Sequence, residues 1–233
     1  METDDSTITE PVPGLFFSPG FYMAFWQNAV IGKFDMNTIL THQKFKPYRE
    51  LWIGAIVAAS QSSASDFQHF VAIPDDEPPD VEVARLVPVT VNGKDGNSLE
   101  RLPIEITRCD FYSGETLLGQ IAKKNKPAWA GMKLAVYAYG DEGTEPPDVQ
   151  AIMKELHGQK VYLSDILVIR HIAHENLYEV SRLYPKPGQS HFSATDEKAF
   201  FMHPEVFKKS RRGLSTEWEH LGSLRLMPPD IES

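Results

Sequence analysis

The sequence predicts a single α/β domain: a central mixed β-sheet flanked by helices, with extensions at both ends. Three observations carry this. Behind Pro47 apolar residues recur at three- and four-residue steps. Between residues 78 and 109 two alternating β-type segments flank an Asn-Gly turn. Leu134-Ala-Val-Tyr-Ala-Tyr139 is a continuous apolar run of strand length, as expected of a strand buried on both faces.

The 233 residues are 42% hydrophobic, enough for one generous core. No apolar run approaches the roughly 20 residues of a membrane span, and the first residues are acidic and polar, unlike a signal peptide. The expectation is a cytoplasmic protein without membrane contact. The single cysteine, Cys109, excludes a disulfide framework within the chain and a Cys-based zinc cluster. A net charge of −9 argues against a general nucleic-acid coat, whose affinity comes from neutralising phosphates. The dense basic run Lys208-Lys209-Ser210-Arg211-Arg212 leaves room for a local contact to DNA, against the plainer reading of a solvated helix end.

The chain divides into a disordered tail (1–13), an aromatic-rich arm (14–46), a core domain (47–184) and a C-terminal extension packed on the core (185–233). Phe16, Phe17, Phe21, Tyr22, Phe25 and Trp26 would form a larger apolar patch than soluble monomers leave exposed. They are therefore expected to be buried, against the core or in a homo-oligomer contact.

Pro47 suits the first turn of a helix, where its missing N–H leaves no bond unmade. That helix runs to about residue 60 with Tyr48, Leu51, Trp52, Ala55, Ile56 and Ala59 inward and Glu50, Gly54 and Val57 on its flank. Phe70–Ile73 is a short strand, closed by a Pro-rich acidic turn at 74–79. The next strand carries Asp80 and Glu82 on one face and Val81 and Val83 on the other. After a turn at 92–97 the chain returns with Glu105 and Thr107 on one face and Ile104 and Ile106 opposite. If the strands pair, three carboxylates converge above one sheet.

Ser113 is the expected N-cap of a helix over 114–124. Leu117, Leu118, Ile121 and Ala122 form its apolar face, and Lys123 and Lys124 favour the negative end of its dipole. Strand 134–139, a loop at 140–147 and a helix with Val149, Ile152, Met153 and Leu156 inward follow. Residues 161–172 and 177–184 read as strands, 185–193 as a loop, 204–209 as a short helix and 221–227 as a last strand.

The order helix, strand, strand, strand, helix, strand over 47–139 resembles the restriction-endonuclease-like core of the PD-(D/E)XK nuclease superfamily. Pro79-Asp80 looks like the family's PD, Glu105-Ile106-Thr107 falls where its acidic-x-Lys tripeptide would, and Glu50 matches the extra helical acid of some members. The resemblance implies Mg²⁺ or a similar hard cation held by Asp80 and Glu105, helped by Glu82 or Glu50. It implies phosphodiester hydrolysis by a water that the metal activates. Thr107 stands where the family has lysine, so Lys123 and Lys124 are the candidates to supply the catalytic charge, with Gln120 able to face the sheet. The missing lysine, the net charge of −9 and the aromatic arm support a second expectation. In it the chain is a non-enzymatic binding or assembly protein on a degenerate nuclease-like or unrelated α/β fold.

Two other features point to plainer roles. His171-Ile-Ala-His174-Glu175 lacks the helical His-Glu-x-x-His order, so surface or hydrogen-bonded histidines are expected. Cys109 shares the strand face of Glu105 and Thr107, where a small buried hydrophobe is expected.

Overall fold

The computed structural model describes residues 7–8, 10–63, 69–75, 78–91, 93–140, 149–172, 177–193, 206–212, 215–220, 225–226 and 228–229. The chain opens with β1 (Thr7–Ile8), β2 (Leu15–Phe17) and α1 (Pro19–Phe25), the last capped where Ser18 Oγ accepts from Phe21 N at 3.3 Å. A π-helical turn (Trp26–Ile31) and α2 (Met36–Thr41) lead to α3 (Lys46–Ser63). Next come β3 (His69–Ala72), β4 (Val81–Val91), β5 (Lys94–Asp110), α4 (Leu117–Lys124), β6 (Lys133–Tyr139) and α5 (Val149–His157). Strands β7 (Asp165–Ile172), β8 (Leu177–Tyr184), β9 (Gly188–Ser193), β10 (Val206–Arg212), β11 (Ser215–His220) and β12 (Arg225–Leu226) complete it.

Ten strands form one mixed sheet in the order β11-β10-β2-β3-β4-β5-β6-β7-β8-β9. Strands β5, β6 and β7 are mutually parallel and every other neighbouring pair is antiparallel. Alternation along the strands feeds two helical layers. Val81, Val83, Ile104, Ile106, Ala135 and Tyr137 pack with α3 and the N-terminal helices. Cys109, Leu134, Val136 and Ala138 point the other way, against Leu117 and Ile121 of α4 and Ile152, Met153 and Leu156 of α5. The α/β architecture with a central mixed sheet is as the sequence predicts. Among the described residues no helix is long and apolar enough to cross a membrane.

The rings of the arm go into the chain's own core. Phe17, Tyr22 and Trp26 are buried in the cluster around α3, with Phe21 and Phe25 partly buried against it, and Phe16 is buried in a separate cluster with Phe70, Ala72 and Ala84. Trp26 stacks on Trp52 of α3 at 4.8 Å between centroids. Of the predicted tail, Thr7–Ile8 pairs in parallel with β12, and residues 1–6 and 9 lie outside the described residues.

Gly54 is less a flank position than the point where α3 touches the sheet. A Cβ there would stand 2.7 Å from Val71 Cγ2 and 3.0 Å from Val81 Cγ2. Valine side chains are stiff at χ1 and cannot easily turn aside. Gly54→Val is expected to cost about 1–3 kcal/mol by overpacking. Urea unfolding checks this; a change within about 0.5 kcal/mol, typical of an indifferent surface site, would show that the contact has slack.

Several segments differ from expectation, each for a local reason. The predicted loop 185–193 contains β9, which completes the open edge of β8 with a regular antiparallel register. Residues 206–209 are not helical: β10 is held between β2 and β11, and 204–205 lie outside the described residues. In both cases an available backbone edge outweighs residue preference. Residues 225–226 are strand, while 221–224 and 227 lie outside the described residues. Gly114, at φ 75°, ends a short 3₁₀ turn at Phe111–Ser113, so Ser113 is not the N-cap of α4. Thr116 is, accepting from Gly119 N at 3.1 Å. The 92–97 turn tightens too: β5 already begins at Lys94, and Gly93 supplies the positive φ of 73° that a short hairpin needs.

Candidate functional site

The candidate site grows out of the β4–β5 register. Val81 faces Ile104 and Glu82 faces Pro103, so Asp80, one residue before β4, lies across from Glu105. Asp80 stands where the strand's backbone pairing stops, and its carboxylate takes over: Oδ2 accepts from Ile106 N at 2.8 Å. That bond fixes the carboxylate beside Glu105.

Glu105 is only 4% exposed, interior to the sheet and under α4. Its Oε1 accepts from Lys124 Nζ, brought over the sheet by the last turn of α4. Its Oε2 is buried with no hydrogen-bond partner. Burial raises the Glu105 pKa, Lys124 opposes the rise, and the adjacent Asp80 carboxylate reinforces it; the net direction is upward. A carboxylate this buried with one unmet oxygen is costly unless something meets it.

The remaining predicted residues separate. Lys46 Nζ lies 3.7 Å from Glu50 Oε1 and 3.8 Å from Asp80 Oδ1, so Glu50 meets Asp80 through a lysine. Glu82 turns along the hairpin to Arg101, whose Nη1 donates to Oε2 at 2.8 Å. That is the diagonal cross-strand neighbour, within easy reach of a long side chain. Lys123, its side chain 64% exposed, faces Glu115 at 4.0 Å on the outside of α4. Only Lys124 of the two lysines reaches Glu105. Thr107 Oγ1 donates to Oε1 of buried Gln120 at 3.4 Å, one helical turn before Lys124. Among the described residues no group of three or more His, Cys, Asp or Glu is gathered together. The convergence is of two carboxylates rather than three.

Lys46 was not singled out from sequence; its signal was the i,i+4 spacing to Glu50 at the start of a helix. Cys109 is buried in the α4 and α5 layer, and burial pushes its thiol up to about 11, so it serves as core. His171 lies against Tyr178 at 4.8 Å, and His174 and Glu175 lie outside the described residues. The basic run 208–212 is strand β10 and not a helix end.

A search of family models finds no match to this chain, and searches of curated proteins and of solved structures find none either.

Proposed function

We propose that this protein is a divalent-cation-dependent phosphodiesterase with a nuclease-like core, in which Asp80 and Glu105 hold the cation. Lys124 stands in for the lysine missing at Thr107. The observation that supports this most is Lys124 itself: a helix supplies, at Glu105, the positive charge that the strand lacks. The donor chemistry fits a hard cation, which prefers carboxylate oxygens; the unmet Oε2 of Glu105 is such a ligand, and Asp80 is already oriented by Ile106 N. Mg²⁺ there would supply Lewis acidity and a lowered pKa for bound water. Lys124 offsets the charge of an approaching phosphate, while Thr107, held by Gln120, offers a hydroxyl without charge. A cytoplasmic setting fits the single buried cysteine. The net charge of −9 favours a short or locally gripped nucleic-acid substrate, with the basic run 208–212 as the local grip.

One observation favours the second reading, a non-catalytic binding or assembly protein: Lys46 and Lys124 already neutralise the two carboxylates. The two readings diverge in solution. On the first, Mg²⁺ or Mn²⁺ at 100 times its Kd raises stability by about 2.7 kcal/mol. Asp80→Asn and Glu105→Gln each abolish that gain. Slow cleavage of nucleic acid survives Lys123→Ala and is lost in Lys124→Ala. Cation stabilisation without cleavage selects the second reading; no stabilisation by either cation rejects the metal site.

A further inference from the structure

The polar strip that begins at Glu105 and Lys124 does not end at Thr107 and Gln120. It opens into a cleft of about 330 Å³ at the carboxyl ends of the parallel strands β5 and β6. Crevices outside the carboxyl ends of strands are where open α/β sheets take ligands, and the volume lies within the range of small-molecule sites. Asp110 and Tyr139, paired in register at the last step of β5 and β6, line it together with Thr41, Thr107, Glu115 and Gln120. Thr107 follows Glu105 on the same strand face by two residues, about 7 Å, so the cleft begins within one nucleotide's reach of the Asp80 and Glu105 carboxylates.

Its charge decides what it can hold. Asp110 and Glu115 both line it, and each is set by a backbone N–H: Asp110 Oδ1 accepts from Tyr112 N at 2.9 Å, Glu115 Oε2 from Asp110 N at 2.8 Å. The lining guanidinium, Arg108, is engaged by the Leu40 carbonyl at the end of α2. With Lys123 Nζ 4.0 Å from Glu115 Oε1 and Arg108 in the lining, the charges of the two carboxylates are balanced, which favours a neutral ligand over a second phosphate. The carboxylates accept hydroxyl donors and have none to give. Tyr139 adds an aromatic surface, and the Thr41 hydroxyl a further polar contact.

We infer that this cleft seats the ribose of a 3′-terminal nucleotide whose 5′ phosphate is the scissile one, with its free 2′ and 3′ hydroxyls donating to Asp110 and Glu115. The substrate class is thereby a ribonucleotide phosphodiester. The assignment rests on the phosphodiesterase reading for the word scissile, but the sugar site has its own readout.

Isothermal titration of the full chain, without divalent cation, with adenosine, uridine and 2′-deoxyadenosine provides it. Adenosine and uridine are expected to bind with similar affinity, because the sugar is what is read. 2′-Deoxyadenosine should bind at least about tenfold more weakly, since a site built around a hydroxyl rejects the analogue lacking it. Asp110→Asn and Glu115→Gln keep the acceptors for their backbone donors and should erase that preference while the fold, followed by circular dichroism, is retained. No saturable binding of either ribonucleoside, equal affinity for the deoxy form, or a preference untouched in both variants overturns the assignment. The unsubstituted protein separates the two ideas. Ribonucleoside binding by a wild-type chain that neither Mg²⁺ nor Mn²⁺ stabilises leaves the sugar site standing and removes the phosphodiesterase. Cation stabilisation at Glu105 without ribonucleoside binding does the reverse.

Discussion

Trp52→Ala is expected to lower stability by about 3–5 kcal/mol, the upper range for a buried aromatic. Trp52 is 2% exposed and sits where three parts of the molecule meet. Its ring stacks on Trp26 of the arm at 4.8 Å, and meets Tyr137 of β6 edge-on at 4.9 Å and Tyr178 of β8 at 6.2 Å. Aromatic pairs of these geometries add about 0.5–1.5 kcal/mol each beyond area burial. The walls of the cavity left behind belong to the arm, α3 and the sheet, so no single movement can close it. Trp26→Ala should also be severe, and the double variant should cost less than the sum of the two because they share one contact. Urea unfolding followed by far-ultraviolet circular dichroism measures all three. A Trp52→Ala loss under about 1 kcal/mol, the centre of the distribution for arbitrary substitutions, would mean that the arm and the sheet are not joined through this ring.

The second large effect is electrostatic and depends on pH. The folded pKa of Glu105 lies above its ordinary value, burial being the first cause. The sign follows from proton binding: between the ordinary and the folded pKa the native state holds the extra proton. The stabilisation is complete below the ordinary glutamate pKa and is lost as pH rises through the folded one. Lys124 limits the loss by hydrogen bonding to the ionised form. Lys124→Met should therefore move the window upward and cost about 1–3 kcal/mol near neutrality, as expected for a buried charged acceptor left without its donor. Wild type and variant should converge on acidification, and Glu105→Gln in the Lys124→Met background should recover most of the loss. Urea midpoints across a pH series test it. An equal loss at every pH would assign Lys124 a packing role, through its approach to the Trp129 ring at 5.3 Å, rather than a charge role.

Where the fold was legible in the sequence, the signal was local. The α3 stripe, the β6 run and the β4–β5 alternation are patterns within one segment, and alternation grouped Asp80 with Glu82 and Glu105 with Thr107, leaving the strand pairing to bring the two groups together. What was not legible depends on partners far away in sequence. Strand β9 has Gly and Ser where strands favour branched residues, and it is ordered by the edge of β8. Strand β10 pairs with β2 from the beginning of the chain, which no window of neighbouring residues reports. At the site, alternation put Glu82 on the right face but could not weigh Arg101 against a shared cation. Helical spacing could not tell Lys123 from Lys124 until the sheet selected the one turned inward.

Strand β2 is three residues long, and it alone joins the β10–β11 hairpin to β3 among the described residues. The sheet is thus assembled out of chain order: a piece made early must wait, in place, for one made late. Closing such a distant pairing is entropically slow. Until it closes, Phe16 and Phe17 hold a strand with one open edge, and the interval between their synthesis and that of β10 is when this chain is most exposed to pairing with the wrong partner.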